Sequence, residues 1–529
     1  MTETSTAPDD GPHGTELNNT GRDNVEPDNA APDNAGPDNA GLASLSTLNG
    51  SGPLELSSAD GVRLLTETAT ALAEHWDRVP DAPVAPGGQI TAEVREWLSG
   101  YDLSSPRPFE EVLGDVLAAL RRWIVHTTHP RYFGLFNPTP TWWGMAGDLV
   151  TAGANPQLAA YSHAPAAVEM ERHVLRLIAR RLGLPEQTEG SFTSGGAEAN
   201  LTAVIVALTR QFGSFTDSGV RGLAGDPVLY ASAESHLAWI KIAQMTGLGR
   251  GAVRLVPVDS RHRLDVAALR RMYAEDIAAG KAPFLLIGTA GTTGGGAIDP
   301  LPEMVDLARE WGVHLHVDAA WAGAIGLSDR LRPLLAGIEA ADSVTVDAHK
   351  WLSAPMGAGM FLTPHPASLS DSFAVATAYM PAQVEGAADP YSTSVQWSRR
   401  FIGLKVFLAL AVAGERAHAE QIERDVRLGE LLADRLAEDG WLRINDTPLP
   451  VVCVVHRAAD ATGAQTSADW HAAVASRVVA SGRAWVSLVR LAGRPAVRIC
   501  LTSHRTRAAD IEEVVAALAA ARDETPLAR

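Results

Sequence analysis

Residues 342–352 read DSVTVDAHKWL, and the lysine in that stretch decides how the rest of the chain is understood. The 529 residues contain four lysines, Lys241, Lys281, Lys350 and Lys405, and arginine meets nearly every other cationic need. Arginine replaces lysine at most exposed positions, but a guanidinium does not condense with an aldehyde as a primary amine does. Lys350, four residues beyond the apolar run 344–346, is therefore either a surface residue after a strand or an amine kept for its chemistry.

Outward from this stretch, residues from about 140 to 405 alternate short apolar runs with amphipathic helical patterns. That alternation predicts a mostly parallel sheet covered on both faces. The runs include 228–230, 284–287, 313–317 and 344–346. In open α/β sheets, ligands bind beyond the carboxyl ends of the strands. Four loops are expected there: ASAESH with His236, GTAGTTGGG after Ile287, Asp318 directly after Val317, and His349 with Lys350 after Val346. A fifth element, FTSGGAEAN at 192–200, opens a helix with small residues, so its first amides and its positive dipole end suit a phosphate. Many glycine-started helices bind nothing, so this element alone does not decide the matter.

The flanking regions have other patterns. Residues 1–57 are rich in Asp, Asn, Pro, Gly and Ala and repeat PDNA from Pro27, Pro32 and Pro37; too apolar-poor to offset ordering entropy, they form an expected disordered tail. Residues 58–140 carry helical faces (Val62, Leu65, Ala69, Leu72, Trp76, then Phe109, Leu113, Val116, Leu117, Leu120) that need a partner surface. The large cofactor-binding domain is expected over 141–405 and a small α+β domain over 406–529, where a long helical stretch precedes PVVCVVH, the pair AWVSLVRLAGRPAVRICLT and a last helix.

Composition narrows the function. Of the net charge of −18, residues 1–60 account for all but −8, with 11 acidic groups and one arginine, so no basic footprint for nucleic acid is present. No apolar run is long enough for a membrane span, and the first residues lack an export pattern, which makes the cytoplasm the expected location. Cys453 and Cys500 give neither a disulfide framework nor a metal cluster and are expected to be buried thiols.

A phosphate cradle, a lysine that must be an amine, a carboxylate at a strand end and a nearby histidine are together what pyridoxal 5'-phosphate needs from its host. Lys350 would hold the aldehyde as a Schiff base. Asp318 would pair with the pyridine nitrogen and keep it protonated, and His236 would lie against the ring.

These residues resemble the group II pyridoxal-phosphate decarboxylases, which include aromatic-amino-acid, histidine, glutamate and cysteine-sulfinate decarboxylases. HVDAAWAG at 316–323 is similar to that family's HVDAAYAG, DAHKWL to its NPHKWL, and GTT at 291–293 to its GTT. The resemblance runs from about residue 60 to 520. It implies an aspartate-aminotransferase-like (fold type I) α/β architecture, and a homodimer with the site at the interface. It implies cofactor contacts from Gly195, Gly196, Ala197, His236, Thr293, Asp318, Ala320, His349 and Lys350. It also implies that SFAVATAYMPAQVEGAADPYSTS is a lid, on its own composition a mobile loop, which brings Tyr379 to the carbon that loses carbon dioxide. Relatives that make aldehydes with oxygen carry phenylalanine there or have lost the ring histidine. Tyr379 with His236 therefore points to plain decarboxylation of an L-amino acid. The chain departs from the pattern at Asp347, where many relatives have asparagine near the phosphate.

RYFGLFNPTPTWWG at 131–144 corresponds to the family's pocket entrance, and Phe136, Pro138 and Trp143 there favour an aromatic or bulky apolar substrate. WSRRF places Ser398 in the substrate pocket, and Arg498 corresponds to an arginine that holds a carboxylate or supports the site. The alternatives that share the cofactor are an aminotransferase, an oxygen-dependent aldehyde synthase and a cofactor-binding protein without turnover.

Overall fold

The apolar runs become the middle of a seven-stranded sheet. The structure, a computed structural model, describes residue 52 and residues 54–87, 90–375, 380–381, 384–491 and 493–527. Most of the expected tail and Tyr379 thus lie outside the described residues. The chain divides into two units, residues 1–65 and 66–529, and the fold below belongs to the second.

The strands are β1 (Glu189–Thr193), β2 (Asp226–Ser232), β3 (Val253–Val256), β4 (Lys281–Thr289), β5 (His314–Asp318), β6 (Ser343–Asp347) and β7 (Gly359–Thr363). Their spatial order is β1-β7-β6-β5-β4-β2-β3. Only β7 runs against its neighbours; β6, β5, β4, β2 and β3 are parallel in turn. Every residue of β5, β6 and β7 is buried. Burial on both faces is what a covered parallel sheet requires, and in β5 (HLHVD) and β6 (SVTVD) it encloses polar residues at every second position.

Helices cover both faces. The Gly196–Gln211 helix lays Ala199, Ala203, Val204, Val206, Ala207 and Leu208 on the sheet, small residues that let it approach closely. The Val266–Ala278 helix starts where the Asp265 side chain accepts from the Ala267 and Ala268 amides, and the Leu301–Trp311 helix stops at Gly312, whose φ of 65° is left-handed.

A second sheet, all antiparallel, is ordered β10 (Ser487–Leu491), β11 (Arg494–Cys500), β9 (Val451–His456), β8 (Trp441–Arg443). Val452, Val454, Val497 and Ile499 pack there against Leu432, Val474, Ile511 and Val514 from the flanking helices. One of these, Leu404–Glu438, bends at Gly414 (φ 78°, ψ 159°). Both cysteines are free and buried, and burial pushes Cys500 up to about 11 and Cys453 further.

Four strands escape a local reading of the sequence. Strands β1, β3, β7 and β8 are three to five residues long, too short to carry a periodic pattern, and β1 finds its partner β7 far along the chain. Among the described residues, no helix is long and apolar enough to cross a membrane.

Candidate active site

Because β2, β4, β5 and β6 are parallel neighbours, their carboxyl ends open on one edge of the sheet. Register aligns Thr289 with Asp318 and Asp318 with Thr345. Asp318, the last residue of β5, is buried. Its Oδ2 accepts from Asn200 Nδ2 at 2.9 Å and its Oδ1 from the Ala320 amide at 3.2 Å. Each oxygen keeps a further lone pair, so the carboxylate is oriented yet able to accept again.

The chain then turns sharply at the end of β6. The Asp347 amide donates to Ala320 O (2.7 Å), the Lys350 amide to Asp347 O (3.1 Å) and the Ala348 amide to Ala358 O (2.8 Å). This turn brings Lys350 Nζ to 2.9 Å from Asp347 Oδ2. The Asp347 carboxylate is thus turned toward the lysine, while its buried Oδ1 has no hydrogen-bond partner among the described residues. His349 Nδ1 accepts from the Ala358 amide at 3.1 Å, which places the proton of the neutral ring on Nε2, and burial lowers its pKa.

The start of the Gly196–Gln211 helix closes on the same turn. A Cβ at residue 196 would sit 2.8 Å from Asp347 Oδ2 and 3.4 Å from Ala320 Cβ, and one at residue 195 would sit 3.3 Å from His349 Cε1. Only glycine permits that approach at 196. The first amides of a helix have no partner within it, so Gly195, Gly196 and the exposed Ala197 present donors and a positive dipole end beside Lys350. Glu198 caps this end. Its Oε2 accepts from the Ser194 amide (2.8 Å) and hydroxyl (2.6 Å), and its Oε1 accepts from Gln396 Nε2 (2.7 Å). The last contact ties the segment after the expected lid to the cradle.

Pyridoxal phosphate requires an amine, a carboxylate and donors for its phosphate; here Lys350 meets Asp347, the Gly196 helix start packs against Asp347 and Ala320, and Asp318 holds the Ala320 amide. The residues fit the group.

The remaining expected residues fall on its rim or away from it. His236, after β2, is exposed, and its Nδ1 accepts from the Ala238 amide at 3.1 Å. Thr293 is half-buried in a loop held by the Ala290 amide on Asp318 O (2.9 Å) and by Trp321 Nε1 on Gly291 O (2.6 Å). Beneath that loop, the Asp299 carboxyl accepts the Leu264 and Thr289 amides, and burial pushes it up to about 7.

Phe136 is buried and stacks on Trp321, with centroids 4.2 Å apart and planes within 12°. The Arg498 guanidinium lies 4.8 Å from the Phe136 centroid. Arg498 is fully buried. Its Nη1 donates to Gly134 O (2.7 Å), while Nε and Nη2 have no partner among the described residues. Pro138 is buried nearby in sequence. Trp143, 43% exposed, lines a separate hollow of about 260 Å³ with Trp142, Trp351, His418 and His504. The exposed Ser398 lines another, of about 350 Å³, with Asn155, Gln157 and Arg400. Sequence reasoning missed Asn200, Glu198 and Gln396: Glu198 meets Ser194 locally, while the Asn200–Asp318 and Gln396–Glu198 contacts arise only in the fold.

Residues 101–457 match the pyridoxal-dependent decarboxylase conserved domain. The chain is 27% identical to an aromatic-L-amino-acid decarboxylase of Bacillus atrophaeus, covering 90% of this chain and 98% of that protein. It is 30% identical to the human (Homo sapiens) cysteine sulfinic acid decarboxylase, covering 74% and 82%. A crystal structure of Oryza sativa TDC with PLP and tryptamine superposes with a TM-score of 0.84, at 24% identity, over 90% of this chain and 99% of that one.

Proposed function

The chain belongs to the pyridoxal-dependent decarboxylases and is a carboxy-lyase that uses pyridoxal 5'-phosphate, and we propose that it converts an aromatic or bulky apolar L-amino acid to its amine and carbon dioxide. What supports this reading is that Lys350, through Asp347, and Asp318, through Ala320, both lie against the Gly196 helix start. The bound cofactor supplies an electron sink for the carbon–carbon bond that breaks.

The chain's own residues do the rest. Lys350 would hold the cofactor's aldehyde carbon, and the amides of Gly195, Gly196 and Ala197, with His349 Nε2–H, would hold its phosphate. Asp318 would face the ring nitrogen, where an anion favours the protonated ring. His236 would cover the open face of the ring and Thr293 and Ala320 its edge. Tyr379 would deliver the proton that replaces carbon dioxide. The aromatic wall of Phe136 and Trp321 supports an aromatic or bulky apolar side chain, and the two unpaired donors of Arg498 beside it suit a carboxylate.

The experiment is incubation of the purified, cofactor-saturated protein with single amino acids, with amine read by mass and ammonia and peroxide by coupled assay. Amine without ammonia from an aromatic substrate is the expected outcome. Keto acid would make it an aminotransferase, and aldehyde with ammonia and peroxide would make it an aldehyde synthase.

The active unit is a homodimer in this reading. Its support is a run of exposed apolar residues on two helices that pack together, Trp142, Leu149 and Val150 on one and Val412 on the other, with Leu135 and Met356 exposed as well. Light scattering on the eluting protein should give about twice the chain mass of 55.9 kDa. A monomer mass in the active fraction would contradict it.

A further inference from the structure

Behind Asp318 lies a line of buried polar side chains that the chemistry above does not use. Asn200, whose Nδ2 donates to Asp318, accepts at Oδ1 from His316 Nε2 (3.1 Å). His316 Nδ1 meets Ser343 Oγ at 2.8 Å, and the same hydroxyl meets His314 Nε2 at 2.8 Å. His314 Nδ1 meets Arg210 Nη1 at 3.0 Å, at the protein surface, where Arg210 also pairs with Asp342 at 2.9 Å. Asn200, His316, Ser343 and His314 are all buried, and Thr345 Oγ1 lies 3.3 Å from His316 Nε2 as a secondary contact. Trp239 meets the His316 ring edge-on, 5.6 Å between centroids, and helps to fix its plane.

The two ends determine the direction of every link. A guanidinium only donates and a carboxylate only accepts. Starting from Arg210, His314 Nδ1 must accept, so its proton sits on Nε2 and goes to Ser343 Oγ. The Ser343 hydroxyl then gives its own proton to His316 Nδ1, which leaves His316 Nε2–H to donate to Asn200 Oδ1 and Asn200 Nδ2–H to donate to Asp318. Five donors in a row point at one carboxylate. Both imidazoles must be neutral for this to hold, and burial does lower each to about 3. Hydrogen bonds aligned head to tail in a low dielectric polarise one another in the same sense.

We infer that Arg210, His314, Ser343, His316 and Asn200 are positioning residues that act through Asp318, a directed relay that holds its carboxylate in the orientation the cofactor ring needs. The inference rests on the reading of Asp318 as the ring-nitrogen partner. None of the five is a catalytic residue, because none touches the cofactor or substrate.

The test is a double-mutant cycle read by cofactor affinity and by the visible circular dichroism of the bound cofactor, with thermal stability measured alongside. Ser343→Ala removes one hydroxyl from the middle of the relay. It is expected to weaken pyridoxal phosphate binding about tenfold and to change the visible band, because it breaks the line of donors behind Asp318. In an Asp318→Ala background the same change should alter affinity less than about twofold, since the residue it acts through is gone. A Ser343→Ala protein that melts lower but keeps the parent affinity and band overturns the relay, as does an equal effect in both backgrounds. If Asp318→Ala itself leaves affinity and band unchanged, the reading of Asp318 has failed instead. Should Ser343→Ala not fold, Arg210→Gln at the surface end carries the test. About a threefold loss of affinity is expected there, and an unchanged value overturns the proposal.

Discussion

Three of the four lysines end against an aspartate, Lys281 at the surface on Asp226, and the settings of the other two, Lys350 and Lys405, differ in what is left over. Lys405 lies in the seam between the Trp142–Ala154 and Leu404–Glu438 helices. Its side chain is 5% exposed, and Nζ donates to Asp148 Oδ2 (3.3 Å) and Met356 O (2.8 Å). The seam is tight: a Cβ on Gly147 would sit 2.6 Å from Lys405 Cα. Lys350 is 26% exposed, and Asp347 is its only partner among the described residues. One ammonium is enclosed by structure, while the other keeps donors and solvent access at the mouth of a crevice. A lysine–aspartate distance therefore says little until the remaining donors are accounted for.

Substitutions sharpen that contrast. Lys350→Arg keeps the charge and the Asp347 contact but loses the amine, so decarboxylation should fall by about a thousandfold or more with little change in melting temperature. Activity near the parent's would end the distinction. Lys405→Met should do the reverse. Leaving Asp148 and Met356 O without their donor is expected to cost about 2 kcal/mol of stability by denaturant unfolding, while cofactor affinity stays at the parent value.

Asp347→Asn probes the crevice pair itself. Removing an anion next to the proposed phosphate site should tighten pyridoxal phosphate binding about threefold to tenfold in an absorbance titration, and weaker binding would show that the carboxylate helps rather than opposes the cofactor. The smallest effect is expected one residue beyond Lys350, where Trp351 Nε1 donates to Asp425 Oδ2 (2.8 Å) and Gln421 to its Oδ1 (2.7 Å). Burial raises Asp425 to about 8. The folded chain holds a proton there that the unfolded chain has released, so this contribution to stability is present in acid and is lost as pH climbs toward 8. Asp425→Asn keeps the shape without the titration. Its melting temperature should exceed the parent's by about 2–4 °C at pH 8 and by less at pH 5. A gap that widens toward acid would refute the assignment.

The sequence carried more of the reactive groups than of what holds them. The four central strands were legible as short stretches rich in Val, Leu and Ile set between helical patterns. Lys350 and Asp318 were legible as candidates because Asp318 directly follows such a run and Lys350 lies four residues beyond one. Strands β1 and β7 were not, since EGSFT and GMFLT gain their meaning from each other across a long stretch of chain. The support for Asp318 left one unused sign. In HLHVD, His314, His316 and Asp318 recur at every second position of a wholly buried strand and so share a face. Three polar groups on one buried face imply partners, but Asn200, Ser343 and Arg210 come from other elements and only the fold brings them together. Trp143 and Ser398 show the opposite case: motif position placed them with the substrate, and within one chain each lines a hollow of its own.

The central claim is that Lys350 alone among the four lysines carries the cofactor. Borohydride reduction of the cofactor-saturated protein, which fixes a carbon–nitrogen double bond in place, followed by peptide mass mapping, tests it most directly. The account predicts one phosphopyridoxyl group per chain, on the peptide containing Lys350; the label on Lys241, Lys281 or Lys405, or no label at all, would contradict it.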